Sequence, residues 1–62
     1  MHEALSPRLL TVEEVARALR QSRSSVYVLM RDGRLRSVRI GRSRRVPVEA
    51  LEEFVRSLDE EQ

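Results

Sequence analysis

Residues 11–33 read TVEEVARALRQSRSSVYVLMRDG, and this stretch decides the fold. Thr11 followed three places later by Glu14 forms a capping box, in which a hydroxyl and a carboxylate each take up a backbone N–H that a helix start leaves without a partner. Leu10 and Val15 stand on either side of the cap at the spacing of a hydrophobic staple. Val12, Val15, Ala16 and Leu19 then recur at i, i+3, i+4 and i+7, the period of one buried helical stripe, so a first helix is expected to run to Leu19 or Arg20. Gln21 interrupts the pattern. Ser22 can cap a second helix whose inward positions are Val26, Leu29 and Met30, ending near Asp32, where Gly33 can take a left-handed conformation without steric cost. The outward face of that helix holds Arg23, Ser24, Tyr27 and Arg31. Two short helices separated by two or three residues make a helix-turn-helix.

From Leu35 the period changes. Val38 and Ile40 alternate with Ser37 and Arg39, β-branched residues favour an extended chain, and Gly41 breaks it. Arg45 and Val46 return as a second strand, with Pro47 expected to end the ladder and Gly41-Arg42-Ser43-Arg44 expected at the tip. A two-stranded ribbon alone is marginal in water, so it must lean on the helices. Leu51, Phe54, Val55 and Leu58 restore helical spacing, which predicts a third helix over Val48 to Leu58 with Glu52 and Arg56 as an i, i+4 ion pair. Glu49, Glu52 and Glu53 fall in its N-terminal half, where the helix dipole favours negative charge. The expected fold is mainly α with a small β-hairpin: a winged helix-turn-helix of three helices and a two-stranded wing. It divides into a flexible N-terminal arm over residues 1–8, which contains Ser6-Pro7, the domain over residues 9–58, and an acidic tail over residues 59–62 that frays.

With 62 residues the chain has room for one domain and a thin core, since a domain this small buries only about 60% of the surface its unfolded chain exposes. Cysteine is absent, which removes disulfides, thiolate catalysis and cysteine-type zinc sites together. The longest apolar run, Val26 to Met30, is far short of the roughly 20 residues a bilayer span needs, and the first residues lack the basic-then-apolar layout expected of a secretory signal. An intracellular protein is expected, cytoplasmic and associated with the nucleoid, with no membrane partner. His2 is the sole imidazole and lies in the arm, so neither a serine–histidine relay nor a histidine metal site has the parts it needs. Ser22, Ser24 and Ser25 read as a cap and small hydrogen-bonding groups, and the acid pairs Glu13-Glu14 and Glu52-Glu53 as capping and dipole partners. Gly33 and Gly41 are too far apart to build a phosphate-cradling loop. No catalytic residue, metal or cofactor is expected, and the chain is not read as an enzyme.

Charge distribution points to the partner. All twelve basic residues are arginine, and residues 8–45 hold eleven of them against Glu13, Glu14 and Asp32, an excess of eight positive charges. Residues 46–62 reverse the balance, with Arg56 against six acids. A basic body with an acidic end suits a polyanion. The bland alternative is a solvated charged surface. A helix bearing Arg, Ser and Tyr fits the major groove, which admits a helix and presents a distinct donor and acceptor pattern for each base pair. Arg23 is best placed for a guanine edge, Ser24 and Tyr27 for base edges or phosphates, and Arg20 and Arg31 for phosphates at either end of the face. Arg39, Arg42, Arg44 and Arg45 put four guanidiniums on the wing, where Arg suits the negative potential of a narrow minor groove. One of these, with Arg45 the first candidate, is expected to lay its stem over the core and pair with an acid of the third helix.

The fragments LLTVEEVA (9–16), SRSSVY (22–27), DGRL (32–35), VRIGR (38–42), RVP (45–47) and LEEF (51–54) together resemble the excisionase family of small MerR-like winged-helix DNA-binding domains. Their order and spacing carry the likeness over residues 9–58. The resemblance implies a recognition helix in the major groove of double-stranded DNA, a wing in the minor groove and no catalysis. It places DNA contact on Ser22, Arg23, Ser24, Tyr27, Arg42 and Arg45. By the same resemblance the protein would bend attachment-site DNA and bias an integrase, its expected protein partner, toward excision. Cooperative self-association on DNA would extend a small footprint. The chain departs from the family at Leu19-Arg20-Gln21, where a leucine, a glycine and an apolar residue are usual, so an irregular turn is expected there. Two other functions fit the residues: a small MerR-like transcriptional regulator, and a protein-interaction module that docks through the acidic third helix.

Overall fold

A computed structural model describes residues 8–61. Residues 1–7 of the expected arm, including His2, lie outside the described residues, as does Gln62. The elements run β1 (Leu9–Leu10), α1 (Val12–Leu19), α2 (Arg23–Arg31), β2 (Val38–Ile40), β3 (Ser43–Pro47) and α3 (Val48–Glu61). Both halves of the capping box are present at α1: Thr11 Oγ1 accepts from the Glu14 N–H at 3.0 Å, and Glu14 Oε1 accepts from the Thr11 N–H at 2.8 Å. Ser22 caps α2 by accepting from the Ser25 N–H at 3.1 Å. The winged helix-turn-helix expected from the sequence is therefore the fold observed.

The turn between α1 and α2 is regular, contrary to the expectation at Leu19-Arg20-Gln21. The Gln21 N–H reaches the Ala16 carbonyl at 2.9 Å and the Arg20 N–H reaches the Arg17 carbonyl at 3.2 Å, the paired bonds of a Schellman ending. α2 ends in the same way, with Arg34 N–H to Leu29 O at 3.0 Å and Gly33 N–H to Met30 O at 3.1 Å. The motif needs a left-handed residue at its apex. Gly33 supplies it at φ 79°, whereas at the first ending Arg20 is forced to φ 57°. For a residue with a Cβ that conformation costs about 1–2 kcal/mol. Arg20→Gly is thus expected to stabilise the domain by about 1 kcal/mol, raising its melting temperature by roughly 4–8 °C in a circular-dichroism melt.

The sheet departs from the sequence reading in three respects. Its order is β1-β3-β2, all antiparallel, so the wing hairpin gains a third strand at its base. The tip is only Gly41-Arg42: Gly41 takes φ 61°, the sign a two-residue type II′ turn requires at its first position, and Ile40 pairs with Ser43 at once. Ser43 and Arg44 therefore belong to the ladder. Pro47 does not end it either but pairs with Leu9. β2 has finished by that point, and the next bond to β1 is the Val48 N–H to the Arg8 carbonyl at 2.8 Å, so the missing proline N–H deprives no partner.

α3 also exceeds expectation, continuing through the acidic tail to Glu61. Arg34, from the loop after α2, holds the Glu61 carboxylate at 3.2 Å and lies 5.8 Å from the centre of the Phe54 ring, so the last turn has a tertiary anchor invisible to local pattern. The core comprises Val12, Val15, Ala16, Val26, Leu35, Val46, Ala50 and Phe54, one or more from every segment except β1 and β2. Leu10, Leu19, Leu29, Met30, Leu51 and Leu58 pack around it. Val55, assigned inward by spacing, is 48% exposed, because α3 lies on the body along a narrow stripe and position 55 falls outside it. Glu52 and Arg56 do not form the expected pair; the acid one place on, Glu53, meets Arg36 instead at 3.4 Å.

Candidate nucleic-acid interface

α2 turns one face to the core through Val26 and leaves Ser24, Tyr27, Val28 and Arg31 exposed on the other. These four stand at i, i+3, i+4 and i+7, a single outward stripe. Beside it the wing folds back, and an open groove of about 370 Å³ is lined by Val12, Glu13, Tyr27, Arg42, Ser43, Arg44 and Arg45. The α2 tyrosine and three of the four wing arginines thus meet in one concave surface, although they are 15 or more positions apart in the chain.

Within the wing, Arg39 and Arg44 are direct partners across the ladder. Like charges directly opposite each other destabilise a strand pair. Arg44 Nη1 donates to Ser37 Oγ at 3.0 Å and Arg45 Nη1 donates to the Arg44 carbonyl at 2.9 Å, so both guanidiniums are oriented by neutral groups. Among the described residues none of Arg39, Arg42, Arg44 and Arg45 forms an ion pair. Arg45 is half-buried, as expected for a stem lying on the body, but it does not reach an acid of α3.

Three of the six acids of α3 are engaged elsewhere. Glu49 meets Arg8 at 3.3 Å, Glu53 meets Arg36 and Glu61 meets Arg34. Exposed pairs of this kind contribute little stability, at most about 1 kcal/mol each. Their effect is to occupy Arg8, Arg34 and Arg36 along α3, while the wing arginines keep no such partner among the described residues.

The remaining expected positions are dispersed around the groove. Arg23, at the start of α2, has its Nε 3.3 Å from a Glu13 carboxylate oxygen, which leaves its two terminal nitrogens to face outward. Arg31 pairs with its neighbour Asp32 at the far end of the stripe. Arg20 sits in the interhelical turn, and neither it nor Arg31 lines the groove. Ser22 is occupied as the cap, its hydroxyl also donating to Ser25 Oγ at 3.1 Å, while Ser24 is exposed. Glu13 was not a candidate from sequence, because capping and dipole effects already accounted for it. The spacing of Glu13 to Arg23 across the turn is the signal that could have found it. Gln21, exposed, lines a second groove with Leu19, Val28 and Phe54, where the family's apolar residue would have covered apolar surface. Among the described residues no group of acids or histidines is arranged to hold a metal ion, and no helix is long and apolar enough to cross a membrane.

A capped helix pair, a third helix behind it and a basic β-wing beside the second helix define a winged helix-turn-helix protein. The chain belongs to the helix-turn-helix domain family, whose model matches residues 9–59. It is similar to the protein named "Excisionase" of Streptomyces ambofaciens, 47% identical over 51 residues that span 82% of each chain. It is also similar to the "Probable excisionase" of Saccharopolyspora erythraea, 46% identical over 81% of this chain and 51% of that one. A protein of Mycobacterium tuberculosis (strain ATCC 25618 / H37Rv) named as DNA-binding is 46% identical over 77% of this chain and 62% of its own length. The chain thus spans most of the first relative, about half of the second and under two thirds of the third. The resemblance to excisionases read from the sequence is borne out.

Proposed function

We propose that this protein binds double-stranded DNA as an excisionase, with α2 in the major groove and the β2–β3 wing on the adjacent minor groove. The observation that carries this reading is the joint groove: Tyr27 of α2 shares it with Arg42, Arg44 and Arg45, wing cations that form no ion pair among the described residues, and Glu13 at its edge is held by Arg23. Phosphate oxygens between Arg39 and Arg44 would remove the repulsion built into the ladder. The relatives named as excisionases and the helix-turn-helix family support the same reading. Three of the six acids of α3, Glu49, Glu53 and Glu61, are held by Arg8, Arg36 and Arg34, which leaves Glu52, Asp59 and Glu60 as the charges a module docking through that helix would use.

In this proposal the Nε of Arg23 stays with Glu13 while its terminal nitrogens address guanine O6 and N7, a pairing that discriminates by about 1–3 kcal/mol. Arg44 grips phosphate. Arg20 and Arg31 hold backbone at the two ends of the face, and Ser22, Ser24 and Arg39 complete it. The protein works inside the cell, on the element's attachment-site DNA and beside an integrase, with several copies bound side by side because one nine-residue helix reads few base pairs.

The two arginine roles are separable in gel shifts on footprinted fragments. Arg23→Ala is expected to lose preference at one base-pair position, at about 1–3 kcal/mol, whereas Arg44→Ala weakens all sequences alike. The reverse pattern would mean that helix and wing exchange roles. Excision assays with the integrase, with and without the protein, test the directional role; promoter occupancy with no effect on excision would mark a transcriptional regulator instead.

A further inference from the structure

The outward stripe of α2 is not uniformly polar. Between Ser24 and Arg31 it carries Tyr27 at 43% exposure and Val28 at 41%. Tyr27 belongs to the groove shared with the wing, but Val28 lies on the other flank of the stripe, at the rim of an apolar groove it lines with Leu19, Leu29, Phe54 and Leu58, and still leaves two-fifths of its surface to solvent. A valine here can neither donate nor accept a hydrogen bond, and the core contacts of α2 are made by Val26, with Leu29 and Met30 beside it. In a helix the two methyls of valine are held in one dominant rotamer, so they are presented at fixed positions with little entropy left to lose.

We propose that Val28 is a specificity-determining residue that reads the C5-methyl group of a thymine. This rests on the proposed placement of α2 in the major groove. Along that groove the thymine methyl is the one apolar group on a base edge, and it separates a T·A pair from a C·G pair at the pyrimidine position, where cytosine offers only a donor. Val28 is five residues beyond Arg23, about 7.5 Å along the helix axis and about 140° around it, so the thymine belongs to a different base pair from the guanine that Arg23 addresses.

The test uses duplexes enriched by the wild-type protein from a randomised 20-base-pair library, the best of them resynthesised with each thymine in turn replaced by deoxyuridine, which lacks only the methyl. Wild type is expected to lose about three- to tenfold in affinity at one position, the transfer of a single methyl group from water. Val28→Ala should bind the thymine and uracil forms equally, and Val28→Thr, which keeps one methyl, should retain a preference. Circular dichroism identical to wild type shows that the variants are folded. Tight binding that ignores the methyl at every position overturns the assignment while leaving DNA binding intact. So does a methyl preference that Val28→Ala preserves, since another group then reads the thymine. If no duplex is enriched at all, the DNA-binding reading itself fails.

Discussion

Replacing Leu35 with alanine is expected to remove roughly 2–5 kcal/mol of stability, the range seen when a buried leucine is cut back and the surroundings only partly close over the void. Leu35 is 1% exposed and is the bulkiest of the fully buried side chains. It sits where three parts of the fold converge: its N–H donates to the Leu29 carbonyl at 3.1 Å, fixing the end of α2, and its side chain joins Val15, Val26 and Val46 at the centre. A 62-residue domain has about 3–9 kcal/mol in total, so this one change should leave a large fraction of the chain unfolded at room temperature. Urea titration followed by circular dichroism reads it directly. Val55→Ala is the matched control: at 48% exposure it should shift the midpoint by no more than about 0.5 kcal/mol. Equal losses at the two positions would contradict the placement of α3 described above.

The second large effect concerns salt. If the wing cations, the helix termini and the flanking arginines together engage about six to ten phosphates, raising the salt from about 50 to 200 mM should weaken DNA binding roughly 10³- to 10⁵-fold. The driving force is release of counterions condensed on the duplex, so the slope of log affinity against log salt counts the phosphates engaged. Arg44→Ala should reduce that slope by about one. The three ion pairs along α3 do not enter the count, because their arginines already have acids. A slope near zero would mean that the basic groove does not meet a polyanion.

Much of this was legible in the sequence because the decisive signals were local. The capping box at Thr11, the serine cap at Ser22 and the glycine after α2 each act within four residues, and each forms as its spacing predicts. What escaped was nonlocal. β1 is two residues long, too short to show a period, and exists because Val46 and Pro47 offer it a ladder. The last turn of α3 depends on Arg34, 27 positions away from Glu61. Arg23 and Glu13 meet only because the interhelical turn brings the start of α2 to the start of α1. At Arg20 the departure from the family pattern was visible, but it signalled local backbone cost and not a different turn. The residues of the joint groove were each candidates except Val12, Glu13 and Ser43; their convergence required the sheet register.

Among the described residues no charged or polar side chain belongs to the core, and none of the residues assigned to the duplex does either. Apart from Ser22 and Arg20, which also shape the ends of the two helices, what packs the chain together and what it would recognise are therefore written in different letters of the same short text. Substitutions can rewrite the address that such a domain reads without threatening its architecture, which leaves mobile elements free to diverge in their end sequences while keeping a common scaffold.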